Sequence, residues 1–333
     1  DVDLSGMTQL TCLNLSNAGI SELVIPKSDT LAELLLIGNN FTSFNFADYP
    51  GLKSVNFDNN KFTSIDVTPL TNLQVLNFSH NALTDVKIDN PQLWSIFLND
   101  NKLESIDLSK APSAYQVLLS SNSLHEIDLD DLKDLHVVYL DYNKFDFTTM
   151  PLPRSQWTVY YYANQARLDA KLVDGTVDLS SQRMAYGVES IYTWLDGEPW
   201  YDEESGQMMG YPLNPGTDYT IDKGVTSFLQ SFDNVMCIIT NEMYPNCYLA
   251  TNLMKVWPSG VNGVDADEVM ISANGNTINV TANPGENVEV FAIDGRLVAS
   301  DRCDAQGRLT LPDMPQGILV VKAASLTRKV VVE

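Results

Sequence analysis

Three histidines, His80, His125 and His136, and the carboxylate triplet Asp202-Glu203-Glu204 are the residues that would matter most if this 333-residue chain were an enzyme. General acid–base or nucleophilic chemistry needs such groups paired and held in place. His80, His125 and His136 each lie in a different stretch, and none has a Ser, a Cys or a second His at a spacing that builds a nucleophile–base pair. The triplet is followed by Ser205 and Gly206, as in a solvated loop, and nothing in the sequence fixes its carboxylates. No G-x-S-x-G, H-E-x-x-H, phosphate loop or dinucleotide fingerprint occurs. The four cysteines, Cys12, Cys237, Cys247 and Cys303, lack zinc-ligand spacing. Cys237 and Cys247 either meet across a hairpin or stay buried thiols. The expectation is a chain with no catalytic residue, no bound metal and no cofactor.

The elements that would have to position any such group are repeats. The pattern L-x-x-L-x-L-x-x-N-x-L runs through Leu31-Leu34-Leu36-Asn39-Phe41, Leu52-Val55-Phe57-Asn60-Phe62 and Leu73-Leu76-Phe78-Asn81-Leu83. It continues as Leu93-Ile96-Leu98-Asn101-Leu103, Ala114-Val117-Leu119-Asn122-Leu124 and Leu135-Val138-Leu140-Asn143-Phe145. An opening copy, Leu10-Leu13-Leu15-Ala18-Ile20, lacks the asparagine, and a closing one, Trp157-Tyr160-Tyr162-Gln165, replaces it with glutamine. A period of about 21 residues allows one short strand and a return path per turn. This resembles the leucine-rich repeat family over residues 1–166, about half the chain. The resemblance implies a solenoid of about eight turns with a parallel sheet on its concave side.

Asn39, Asn60, Asn81, Asn101, Asn122 and Asn143 are read as structural, because a side-chain amide can satisfy backbone groups where the chain bends off each strand. After each asparagine comes apolar–polar–apolar, as in Ile65-Asp66-Val67 and Ile106-Asp107-Leu108, which suits an extended convex edge. Pro50, Pro69, Pro91 and Pro112 precede the next turn and oppose convex helices. One Asp per turn supplies too few of the six to eight oxygens calcium takes, so these aspartates read as solubilising groups.

Strand alternation then separates core from surface. The residue between the two inward apolar positions reads Asn14, Leu35, Asn56, Asn77, Phe97, Leu118, Tyr139, Tyr161 along the stack. At a strand spacing of roughly 4.8 Å the last four span about 14 Å of contiguous outward surface. Val137 and Val159 widen it, and Asn99 and Asp141 lie beside it. A contiguous apolar patch calls for an occupant, and aromatic residues anchor interfaces. These eight residues form the candidate binding face, with a covering by the chain itself as the competing reading.

The period fails after Gln165. Residues 167–257 hold short alternating runs, D-G, D-K-G and Y-P-N turns and the strand Tyr192-Thr193-Trp194. They resemble the small immunoglobulin-like domains that follow bacterial leucine-rich repeats, with Trp194 as core tryptophan and Cys237 in a later core strand. No early cysteine matches, so the resemblance carries no inter-sheet disulfide. Residues 258–267 read as a linker. Residues 268–333 hold about five strand-like runs, among them 288–298, Ile318–Lys322 and Arg328–Val332, separated by N-G, P-G, D-G and Q-G turns. They resemble the C-terminal sorting domain of proteins secreted by Bacteroidetes-type bacteria, which implies a secreted or envelope origin. The expected fold class is therefore mainly β, a leucine-rich repeat solenoid followed by two small β-sandwich domains.

Composition narrows the partners. Forty-three acidic against 20 basic residues give a net charge of −23, which opposes nucleic acid and anionic lipid surfaces. No apolar run is long enough for a transmembrane helix. The sequence opens on Asp1 with no basic-then-apolar leader, as expected where a targeting segment has been removed or where the chain starts late. The combined expectation is a non-enzymatic adhesion or binding protein, extracellular or on the outer cell surface, that recognises a protein or polysaccharide ligand through its concave face. A structural envelope protein with no external ligand is the alternative, and a glycan-acting enzyme a more distant one.

Overall fold

The computed structural model describes residues 2–202, 207–258, 269–323 and 326–332. Eight three-residue strands stack in parallel in chain order: Cys12–Asn14, Glu33–Leu35, Ser54–Asn56, Val75–Asn77, Ser95–Phe97, Gln116–Leu118, Val137–Tyr139 and Val159–Tyr161. They define turns 1 to 8. Their register places the central apolar residues opposite one another, Val55 with Leu76, Leu76 with Ile96, and on through Val117, Val138 and Tyr160. Each strand is short because only its three central residues pair before the chain bends into the return path. On the return side Ser64–Asp66 pairs with Asp85–Lys87 and Val2–Asp3 with Leu23–Val24, all parallel. Among the described residues there is no α-helix, only 3-10 turns at Phe46–Asp48 and Ser180–Gln182.

The solenoid interior is filled by the repeat leucines and by phenylalanines. Leu34, Leu52, Leu73, Leu98 and Leu119 are fully buried. Phe57 and Phe78 stack at 5.0 Å, and Phe62 meets both edge-on at 5.2 and 5.1 Å. Edge-to-face and offset contacts of this kind add to the burial of each ring.

The chain forms two compact units: residues 1–168 with 182–192 and 238–250, and residues 169–181 with 193–237 and 251–333. In the first unit, the segments from beyond the repeats close the end of turn 8. Tyr244 stacks on Phe147 with ring centroids 5.7 Å apart and donates its hydroxyl to the Met150 carbonyl at 2.7 Å. Gln182 accepts the Phe147 N–H at 3.1 Å and donates to Asp146 at 2.9 Å. The second unit is all β. Trp194 is fully buried, donates its indole N–H to Thr226 Oγ1 at 3.0 Å and meets Phe228 edge-on. Among the described residues Cys12, Cys237, Cys247 and Cys303 form no disulfide. Further along, Met270–Asn274, Thr277–Thr281 and Arg308–Leu311 form one sheet. Leu297–Arg302, Asn287–Ala292, Gly317–Ala323 and Leu326–Val332 form the other. Ile271, Ile278, Val280, Val288, Val290, Leu319 and Val321 make the core between them. The fold is mainly β, a repeat solenoid of about eight turns followed by small β-sandwiches.

Candidate functional site

The bend that follows each concave strand is built by one residue pair. The first member has left-handed backbone in all eight turns: Asn17, Gly38, Asn59, His80, Asp100, Ser121, Tyr142 and Asn164, with φ between 51° and 65°. At Gly38 an added Cβ would lie 2.2 Å from Asn17 Oδ1. The second member is the repeat asparagine in turns 2 to 7, Gln165 in turn 8 and Ala18 in turn 1. The asparagine Nδ2 donates to a carbonyl of the preceding turn at 2.9 Å for Asn39, Asn60, Asn81, Asn101, Asn122 and Asn143 alike. It also donates to two carbonyls of its own turn, at 3.1 and 3.2 Å for Asn60. Its Oδ1 accepts a backbone N–H of the preceding turn, that of Phe41 at 3.0 Å for Asn60 and that of Leu124 at 2.9 Å for Asn143. Gln165 makes the same set with Leu140, Tyr162 and Ala163 carbonyls and the Phe145 N–H.

With the bend fixed, the outward residues fall into columns. Phe97, Leu118 and Tyr139 are half-buried and Tyr161 is 54% exposed. The Tyr139 and Tyr161 rings lie 4.6 Å apart. Val137 and Val159 are half-buried in the neighbouring column. Asn99 and Asp141 sit on either side of Ser120: Asn99 Oδ1 accepts the Ser120 N–H at 2.9 Å, and Ser120 Oγ donates to Asp141 Oδ1 at 2.5 Å. Each expected contact residue is thus on one face, at turns 5 to 8.

A second aromatic column escaped the sequence reading. Trp94, Tyr115 and His136 each precede the concave strand of their turn by one residue. Trp94 is 44% and Tyr115 41% exposed, and the Tyr115 and His136 rings stack nearly parallel at 4.7 Å. The signal was present in the 21-residue register, since the position after the first repeat leucine reads Thr11, Ala32, Lys53, Gln74, Trp94, Tyr115, His136, Thr158.

The residues first considered for chemistry are engaged elsewhere or apart. His80 bridges two carboxylates, Asp58 at 2.8 Å and Asp100 at 3.3 Å. His136 Nδ1 sits 2.7 Å from the Asp134 carbonyl. Glu203 and Glu204 lie outside the described residues, as does most of the expected linker 258–267. The convex aspartates hold turns as well as charge: Asp66 accepts from Thr68 N at 3.1 Å and Asp107 from Ser109 N at 2.9 Å, and hydrogen bonding by the Ser109 hydroxyl, then by its N–H, holds the Asp107 carboxyl below its ordinary range. Among the described residues no group of three or more His, Cys, Asp or Glu is arranged to hold a metal ion. None of their helices is long and apolar enough to cross a membrane, which leaves strand-built barrels aside.

No protein-family description matches the chain, and no curated protein matches it. Several solved structures are similar to it. The functional domain of InlJ from Listeria monocytogenes is 18% identical, with 76% of this chain and 64% of that one covered and a TM-score of 0.45. A leucine-rich repeat protein of Leptospira interrogans is 21% identical over 51% of this chain and 47% of that one, with a TM-score of 0.42. YopM from Yersinia enterocolitica is 18% identical over 51% of this chain and 37% of that one, also with a TM-score of 0.42. In each case the match spans less than two thirds of the other protein's length.

Proposed function

We propose that the chain is a non-enzymatic binding protein, secreted or displayed on the outer cell surface, that recognises a protein or glycan through the concave face of turns 5 to 8. The observation that carries this reading is the outward aromatic and aliphatic surface running unbroken across four successive strands, from Phe97 to the exposed Tyr161. Contiguous apolar surface of this kind marks interaction sites, and tyrosine is enriched among the residues that carry binding energy. We also propose the division into a repeat domain over 1–166, an immunoglobulin-like domain over 167–257, a linker and a sorting-like domain over 268–333. In that division, residues 182–192 and 238–250 of the middle domain serve as the cap of the solenoid. The Bacteroidetes-type origin and the surface location rest on the sequence resemblance of the last domain.

The test uses the whole chain and its Phe97→Ala/Tyr139→Ala variant on arrays of purified extracellular proteins and of glycans. Both residues are half-buried on the outward face, so the variant is expected to melt within a few degrees of the parent and to lose capture. Equal capture by the two proteins would place binding elsewhere.

A further inference from the structure

We propose that the partner is an extended polypeptide segment bearing a lysine or arginine, whose cation pairs with Asp141 while its apolar side chains cover Phe97, Leu118 and Trp94. This rests on the concave-face reading above and specifies the chemistry of its occupant.

Ring packing is the first argument. Strands about 4.8 Å apart bring successive side chains of a column to stacking distance, and Tyr139–Tyr161 and Tyr115–His136 are packed at 4.6 and 4.7 Å. Tyr115 and His136 turn their faces to one another and Tyr139 and Tyr161 are tilted by 44°, so each of these rings has one side taken up by its neighbour. A pyranose stacks by laying its C–H groups flat on an open ring face, and a ring packed against its neighbour offers at most one. Apolar side chains of a polypeptide pack against edges as readily as against faces. Tyr161 ends its column because no further strand of the sheet follows, and its ring is 54% exposed.

Charge is the second. The outward positions of turns 4 to 8 contain no Lys or Arg. Of the carboxylates on this face, Asp58 and Asp100 share His80. Asp141 spends Oδ1 on the Ser120 hydroxyl, and its Oδ2 has no partner among the described residues. A carboxylate already oriented by one hydrogen bond and set beside Tyr139 is prepared for a charge-assisted bond from a cation the chain itself does not supply. A net charge of −23 steers a basic partner toward such a face and repels an acidic one. The length fits too: four strands span about 14 Å, room for about four residues of extended chain lying across them.

The experiment pans a phage library of random twelve-residue peptides on the whole chain, then measures dissociation constants of the leading peptides on Asp141→Asn, Trp94→Ala and Phe97→Ala/Tyr139→Ala. Asn at 141 keeps an oxygen for Ser120 and removes only the charge. The expected result is enrichment of Lys or Arg next to apolar residues, with affinity falling on the order of ten-fold on Asp141→Asn and several-fold on Trp94→Ala. The fall on Asp141→Asn should shrink as salt rises. Peptides that lack a basic residue, or that bind Asp141→Asn as tightly as the parent yet lose the Phe97/Tyr139 variant, would overturn the basic partner and leave the concave face standing. Peptides indifferent to every variant would overturn both. No enrichment from the library, with capture confined to glycans on the array, would overturn the polypeptide as occupant.

Discussion

Asn60 gives one buried side chain four backbone partners, three carbonyls and one N–H. Alanine there leaves those groups in the solenoid wall without replacement, and buried unsatisfied groups cost about 1–3 kcal/mol each before relaxation. Asn60→Ala is therefore expected to lower the unfolding free energy by about 2–3 kcal/mol, and the half-buried Asn122→Ala by about 1–2 kcal/mol, where water can reach the orphaned groups. Urea denaturation measures both, and an Asn60 loss no larger than that of Asn122 would mean water reaches both sites equally. These asparagines were legible in the sequence because a single residue type recurs at a fixed step. Trp94, Tyr115 and His136 were not, because three residue types share only a position, and the position stands outside the strand. The thiols make a second residue-scale prediction. Burial pushes Cys247 from an ordinary value of 9.0 up to about 12, and burial pushes Cys237 up as well. Unfolding releases them to ionise at the ordinary value, so their contribution to stability is intact below pH 9 and declines as pH rises toward about 12. In native protein at pH 8, iodoacetamide is expected to reach Cys12, the exposed thiol, slowly, since partial burial and the Glu33 carboxylate raise its pKa. Four thiols should titrate after unfolding without reductant; two would show that Cys237 and Cys247 are bonded.

Each turn needs one residue with φ near +55°, followed by an asparagine or glutamine in turns 2 to 8 and by Ala18 in turn 1, and only turn 2 supplies a glycine for it. The left-handed region costs an ordinary L-residue roughly 1–2 kcal/mol, less for Asn and Asp, whose short polar side chains bond locally. The eight residues at this position include His80, Ser121 and Tyr142, so no composition signal marks it and the sequence reading passed over it. The strands and the bend asparagines, by contrast, follow from hydrophobic periodicity alone. Tyr142→Asn is accordingly expected to raise stability by roughly 0.5–1 kcal/mol, as relief of part of that cost. Its ring is 57% exposed, so the change forfeits little burial. Differential scanning calorimetry would detect the rise as a higher melting temperature, and a fall would show that the Tyr142 ring packs more usefully than its exposure indicates.

A solenoid turn cannot bury its own end, so the last one needs a cover. Left uncovered, turn 8 would present Tyr162 and the return path before it Phe147 and Met150; all three are buried in the whole chain. The cover comes from residues 182–192 and 238–250, which belong to the same compact unit as the repeats although they begin 16 and 72 positions after residue 166. Nothing in the repeat pattern could announce this. The contacts are single events, Tyr244 on Phe147, Gln182 on Asp146 and the Phe147 N–H, Tyr186 on the Met150 carbonyl, without a period to read. Placing the end of the repeats near residue 166 from sequence was straightforward because periodicity stops there; finding what closes them required the third dimension. A chain cut after residue 168 keeps every repeat and loses the whole cover. It is expected to expose Phe147, Met150 and Tyr162, to melt well below the full chain, and to exchange the amide protons of turns 7 and 8 faster than those of turns 2 to 4. Tyr244→Phe in the full chain separates packing from hydrogen bonding, because the ring stays while the Met150 carbonyl loses its shorter donor and keeps the Tyr186 hydroxyl at 3.4 Å, a loss of about 1 kcal/mol. A truncated chain with the parent's melting temperature and uniform exchange would show that the repeats are self-sufficient and that the downstream segments merely rest on them.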